Sequence, residues 1–363
     1  MNESSFAVSG YQNTQFADIV KLWTEQYDNE TIQKRKLLFK WITEKNPFLE
    51  GRAPYFLLMD NDTVVGMHGH MPLCFTHNGK KKLGALAHDD LISIDYRGKG
   101  LGKIMLNGTA SASKTFAGAL WFNEPNYRLY IKSGWLDVPG LFSYVKIYNP
   151  EIFLENRISN MHLRKTAAAF LKLGFKLKNT VFCSAVNKQL TIKKINRFDK
   201  SFDELFDKTA LSLGISVARN SQYLNWKFVE KPYNNYIRYA AYDSEQNLAG
   251  YMVFHAELNE KQARGKIIDF MVLPGRADVF NTLIKSSCEQ LVEKKVDYIQ
   301  VTTSNEFAIR CLYRNGFNRS KSPFRFMVVN WEAEFEKEYI QNIRNWYLTD
   351  SDADGGAWII NEK

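Results

Sequence analysis

Apolar residues recur at Phe16, Ile19, Val20 and Trp23, the i, i+3, i+4, i+7 spacing of one helical face. Leu38, Trp41 and Ile42 predict a second helix, ended near Asn46-Pro47. Strands are expected from Tyr55 to Met59 and from Thr63 to Met71, around the turn Asp60-Asn61-Asp62. A further strand, about Ala85 to Ile94, runs into a glycine-rich stretch. A helix from Leu101 to Phe116, a strand from Gly118 to Phe122 and a helix from Tyr127 to Ser133 follow.

The order then repeats. Trp41-Ile42-Thr43-Glu44-Lys45 is echoed by Trp226-Lys227-Phe228-Val229-Glu230-Lys231, and Val64-Val65-Gly66-Met67 by Leu248-Ala249-Gly250-Tyr251. Asn123-Glu124 returns as Asn305-Glu306, and Gly134-Trp135 as Gly316-Phe317. A nearly constant offset over four landmarks predicts one fold used twice. The expected organisation is an α/β chain with mixed sheets, with domains at 1–150 and 201–335. A connector at 151–200 carries its own helix, Arg164 to Leu173, and 336–363 forms a tail.

Between strand and helix lies Arg97-Gly98-Lys99-Gly100-Leu101-Gly102, followed by Lys103. Alternate glycines permit a tight turn that gathers backbone N–H groups, and a helix start adds more, so the stretch suits a pyrophosphate. The Walker pattern is absent, and Lys103 stands where a dinucleotide-binding loop needs a small residue. Arg-x-x-Gly-x-Gly resembles the GNAT acyl-coenzyme A transferases. The segment Asn123-x6-Tyr130-x3-Gly134-Trp135 resembles the family's second element, at the family's spacing.

The resemblance implies acyl-coenzyme A as co-substrate and no metal. It implies pantetheine pairing with the backbone of Leu91 and Ile92, where two strands splay, and an oxyanion donor from a nearby N–H. Phosphates would lie on Arg97 to Lys103. Asn123 and Asn126 would contact the cofactor, although Asn before a helix is also a common cap. Tyr130 matches the family's acid. For the base, His70 ranks first, then Asp89, then His88 and Glu124; a lone His or Asp is more often structural. Tandem halves with Tyr96-Arg97-Gly98-Lys99-Gly100 resemble members that N-acylate nucleotide-linked amino sugars with acetyl or short hydroxyacyl groups. Rival acceptors are a protein or peptide amine, a polyamine or an aminoglycoside. A rival of another class is a non-catalytic coenzyme A- or nucleic-acid-binding module.

The second half lacks the loop: Leu273-Pro274-Gly275-Arg276-Ala277-Asp278 breaks the glycine spacing, and Leu312 takes the place of Tyr130. It is expected to be degenerate, packing as a built-in pseudo-dimer partner in a monomer or small homo-oligomer.

Composition narrows the picture further. The 363 residues are 45% hydrophobic, enough for real cores. No run of about 18 apolar residues predicts a membrane span. Cys74, Cys183, Cys288 and Cys311 are scattered, as expected of reduced thiols in a cytoplasmic protein. Cys74 lacks the local base a nucleophile needs. The net charge of +9 suits an anionic partner, here phosphorylated small molecules, since no nucleic-acid motif accompanies it. Basic residues crowd the stretch from Arg157 to Lys200, read as a solvated surface. Asp350-Ser351-Asp352-Ala353-Asp354-Gly355 resembles half a calcium loop, but Asn361 stands at its twelfth position, so a solvated acidic tail is expected.

Overall fold

The computed structural model describes residues 6–113, 115–120, 122–155, 158–181, 187–259, 262–329 and 335–353, without the side chains of 175–181, 322 and 323. Arg157, Cys183 and the tail beyond Ala353 lie outside this range.

The first half runs β1 (Phe6–Gly10), α1 (Phe16–Thr24), α2 (Asn29–Glu44), β2 (Tyr55–Asp60), β3 (Thr63–His77), β4 (Lys80–Ile92), α3 (Leu101–Ser113), β5 (Ala117–Leu120), α4 (Glu124–Lys132), β6 (Leu136–Asp137) and β7 (Leu141–Ile147). The connector holds α5 (Glu151–Leu154), α6 (Met161–Val181) and β8 (Thr191–Lys194). The second half runs α7 (Ser201–Ala210), β9 (Ser216–Val217), α8 (Ser221–Phe228), β10 (Ile237–Tyr242), β11 (Leu248–Leu258), β12 (Ala263–Val272), α9 (Ala277–Glu293), β13 (Tyr298–Thr303), α10 (Glu306–Arg314), β14 (Asn318–Phe324), β15 (Phe326–Val329) and α11 (Lys337–Ile340).

Local chemistry explains the first elements. The α1 face buries Ile19, Leu22 and Trp23. Asp28 caps α2 by accepting the Thr31 N–H at 2.7 Å. Asn46 breaks the chain after α2 by donating to the Pro72 carbonyl and accepting from the Phe48 N–H. Asn78 and Gly79 both take positive φ, so β3 and β4 form a longer hairpin than the sequence pattern predicted. The helix expected to reach Phe116 ends at Ser113, and Phe116 stacks on Trp346.

Two mixed sheets result. One has the order β1-β2-β3-β4-β5-β15-β6, with β9 on the tip of β3; the other is β14-β7-β13-β12-β11-β10-β8. The last strand of each half therefore sits in the other half's sheet. β7 pairs with β13 and β14, and β15 with β5 and β6. The sequence boundaries at 150 and 335 divide the chain but not the sheets. The repeated tryptophans meet: the Trp41 and Trp226 rings stack at 4.4 Å, and each indole N–H donates to the other's carbonyl. A pseudo-two-fold axis passes between them, and the stack adds about 1 kcal/mol beyond burial.

Candidate active site

β4 and β5 run parallel but pair only at Ala85–Ala117 and Leu86–Gly118. Beyond that point β4 continues to Ile92 with a gap on its β5 side. Ser93 donates to Val65 at 2.9 Å, so strand alternation turns the Leu91 backbone toward Met67 on β3 and the Ile92 backbone toward the gap. Of the two expected backbone partners, Ile92 is the one that faces it.

The glycine loop stands at the open end of this gap. Gly98 (φ 76°) and Gly100 (φ 79°) are left-handed, with open space where side chains would stand. Gly102 serves a different purpose: a Cβ there would lie 2.8 Å from Leu129 Cδ2, so it lets α3 approach α4. Lys103 opens α3, its N–H donating to the Gly100 carbonyl at 3.2 Å. Arg97 stays exposed but donates to the Ile92 carbonyl at 3.2 Å and to Gln26, just past α1, so it ties the loop to the end of β4 and to the turn after α1. Lys99 rests 4.7 Å over the Tyr96 ring.

A β-bulge shapes the centre of the site. Met67 pairs with Leu91 and Gly69 with His88, so His68 opposes both Asp89 and Asp90, and Asp89 takes a positive φ of 54°. The bulge sends the two carboxylates apart. Asp89 forms a buried ion pair with Arg35 of α2. Asp90 accepts from the Tyr130 hydroxyl at 2.7 Å through one oxygen and meets His68 Nδ1 at 2.5 Å through the other. Tyr130 is 1% exposed, its ring held by Phe122 and Trp135. His68 Nε2 is buried with no hydrogen-bond partner among the described residues.

Of the four bases expected from sequence, Asp89 is taken by Arg35, and the other three have partners other than Tyr130. His70 Nε2 meets Thr115 Oγ1 at 3.1 Å beside a cleft of about 350 Å³, and burial pushes its imidazole down to about 3. His88 lies against Tyr55, its ring held neutral by burial and within 2.6 Å of where a Gly69 Cβ would stand. Glu124 is a surface carboxylate held low by Arg325 and Arg128. Asn123 caps α4, accepting the Asn126 N–H at 2.9 Å. Burial raises the Cys74 thiol, consistent with an inert residue.

The second half provides an internal control. Gly66 pairs with Ile92 as Gly250 pairs with Val272, which aligns the two sites. Asp89 then corresponds to Asp269, which Arg219 grips at 3.0 Å as Arg35 grips Asp89. This pair occurs in both halves and belongs to the fold. His68, Asp90 and Tyr130 correspond to Met252, Phe270 and Leu312, all apolar.

The gap between β12 and β13 is also filled. Thr349 bridges to Thr303 and donates to Asp269 at 2.7 Å, Ser351 donates to Asp269 at 3.1 Å, and Arg219 donates to Asp352 at 2.6 Å. The Tyr347 hydroxyl donates to the Phe270 carbonyl. Asp350 and Asp352, expected in a solvated tail, are 3% and 1% exposed. Asp278, in the stretch that replaces the loop, accepts from Arg276 and Asn187. A polar stretch of chain fits a splayed gap of this kind, and the first half keeps its own gap and its polar trio.

The buried histidines set an acid limit on stability. Unfolded, His70 titrates near 6.5; folded, near 3. Below 6.5 the unfolded chain binds a proton that the native state refuses. The stabilisation is complete above that pH and fades toward pH 3, and His88 and His255 act with the same sign. His70→Gln is expected to flatten this loss by up to about 1.4 kcal/mol per pH unit below pH 6.5. Denaturant melts from about pH 7 to 4 check this; equal slopes in the two proteins would contradict it.

The chain matches no model of a known protein family, and no curated protein matches it in sequence. Solved structures do share its fold. A GCN5-related N-acetyltransferase from Anabaena variabilis superposes with a TM-score of 0.63 at 12% identity, over 90% of this chain and 73% of that one. A probable N-acyltransferase from Enterococcus faecalis gives 0.56 at 13%, over 90% and 72%. Saccharomyces cerevisiae N-myristoyltransferase with bound myristoyl-CoA gives 0.58 at 12%, over 91% and 85%. The fold is therefore that of the GNAT N-acyltransferases, spread over both halves.

Proposed function

We propose that this chain is an acyl-coenzyme A-dependent N-acyltransferase working through its first half alone. One observation carries the reading: Asp90 joins Tyr130 and His68 beside an open strand gap and a glycine loop, and the plugged half has replaced all three residues.

Bound acyl-coenzyme A would supply an activated thioester. Lys103, the first-turn amides of α3 and the loop at Gly98 and Gly100 would hold its phosphates, and Ile92 would offer its backbone N–H to a pantetheine carbonyl. An N–H at the edge of β4 would steady the oxyanion. Asp90 would take the proton that the attacking amine sheds, directly or by way of His68. Tyr130 would give its proton to the departing thiolate and recover one from Asp90. One proton leaves nitrogen and one reaches sulfur, so the chain returns to its starting state. Tyr130→Phe is expected to fold normally and lose about 10²-fold in turnover. Steady-state rates with a melting curve check this, and an unchanged rate would remove Tyr130 from the mechanism.

For the acceptor we propose the amine of a nucleotide-linked amino sugar, with acetyl or a short hydroxyacyl as the group moved. Support comes from the loop and tandem resemblance in the sequence. The test mixes the protein with acetyl- and 3-hydroxybutanoyl-coenzyme A and a panel of amines, reading thiol release and product mass together. Acylated nucleotide sugar is the expected product. Turnover only with peptides or polyamines would keep the chemistry and replace the acceptor; no turnover with any amine would favour a binding module.

A further inference from the structure

Helix α6 is the part of the chain that neither half uses. It packs on α5, with Ala168 buried and Arg164 reaching Glu151 and Glu155 at 3.6 Å. Its other side meets solvent with Leu163 at 64%, Phe170 at 72% and Leu173 at 56% exposure. On a helical wheel these three fall within about 80° of one another, and Lys165 and Lys172 lie together on another side. Residues 161–198 hold nine Lys or Arg and no Asp or Glu. Without those nine, the chain's 48 basic residues fall to 39, equal to its 39 acidic ones. The positive excess of the whole chain therefore equals the charge of the segment that α6 begins, so binding phosphates at the first half's loop does not account for it.

We infer that α6 docks the protein on an anionic lipid surface, lying in the interface with Leu163, Phe170 and Leu173 among the acyl chains and its lysines at the headgroups. A helix that joins an exposed apolar face to an acid-free basic one matches both layers of such a membrane. Nucleic acid would satisfy the lysines and leave Phe170 in water. A second copy would cover Phe170 while bringing two basic segments together. Among the described residues no helix is long and apolar enough to cross a bilayer, so the contact is peripheral.

Flotation of the full-length protein with phosphatidylcholine vesicles, with and without phosphatidylglycerol, tests this. Binding is expected only with phosphatidylglycerol present. The double variant Leu163→Asp/Phe170→Asp is expected to weaken it by at least about tenfold. Lys165→Gln and Lys172→Gln are expected to cost about fivefold each. Both exposed apolar positions accept Asp without disturbing the core, and an unchanged melting curve verifies this. Absence of flotation with anionic vesicles would overturn the inference. So would binding indifferent to Leu163→Asp/Phe170→Asp, which would mark a purely ionic surface of the kind nucleic acid uses, or a dimer in solution that this variant dissolves.

Discussion

Asp90→Asn is expected to lower turnover by about 10²–10⁴-fold while leaving coenzyme A affinity within about twofold. The asparagine keeps the size of the side chain and loses its capacity to hold a proton. The hydroxyl of Tyr130 and the ring of His68 both converge on this carboxylate, so its loss disconnects the amine from the departing thiol. Asp89→Asn is a different experiment on the neighbouring residue: it removes the partner of Arg35, and its damage is expected in stability. Rates, coenzyme A titrations and melting curves for the two variants separate the roles. A slow, stable Asp90→Asn beside an unstable Asp89→Asn fits the account, and the reverse pattern would contradict it.

Arg219→Leu is expected to destabilise the protein by about 3–5 kcal/mol, toward the upper end. Arg219, Asp269 and Asp352 are all 0% exposed as side chains. Burial works against the arginine's charge, but Asp269 and Asp352 hold its pKa well above the ordinary value. Removing it strands two carboxylates in the core and releases the segment that fills the second gap. Asp352→Asn is expected to cost less, since Arg219 keeps Asp269. Denaturant unfolding near pH 7 measures both, and a loss below about 1 kcal/mol for Arg219→Leu would show that the plug is not held as described.

Much of this fold was legible as pattern. Phe16 to Trp23 and the Tyr55 to Met71 stretch carry their periods openly, and the echo of Trp41 in Trp226 marked the residues that meet on the pseudo-two-fold axis. Strand exchange was not legible. Leu141–Ile147 and Phe326–Val329 are short apolar runs that suit either sheet, and chain order alone cannot say which edge they join. The loop and Tyr130 stood out in the sequence because glycine spacing and a motif are local signals. That Asp90, and not Asp89, meets Tyr130 was not legible, because a bulge breaks strand alternation and nothing in Leu86-Ala87-His88-Asp89-Asp90 marks where the extra residue falls. One sequence signal was available: Asp269 repeats Asp89 in a half without the glycine loop, which points to a structural role. Asp350 and Asp352 read as solvated because the arginine that buries Asp352 lies 133 residues away.

The most direct test of one working half and one plugged half is the stoichiometry of coenzyme A binding, measured by calorimetry on the full chain and on Gly98→Val/Gly100→Val. The account predicts one coenzyme A per chain and none in the variant, whose valines cannot take the left-handed backbone of the loop without strain. Two per chain, or one that survives the double substitution, would contradict it.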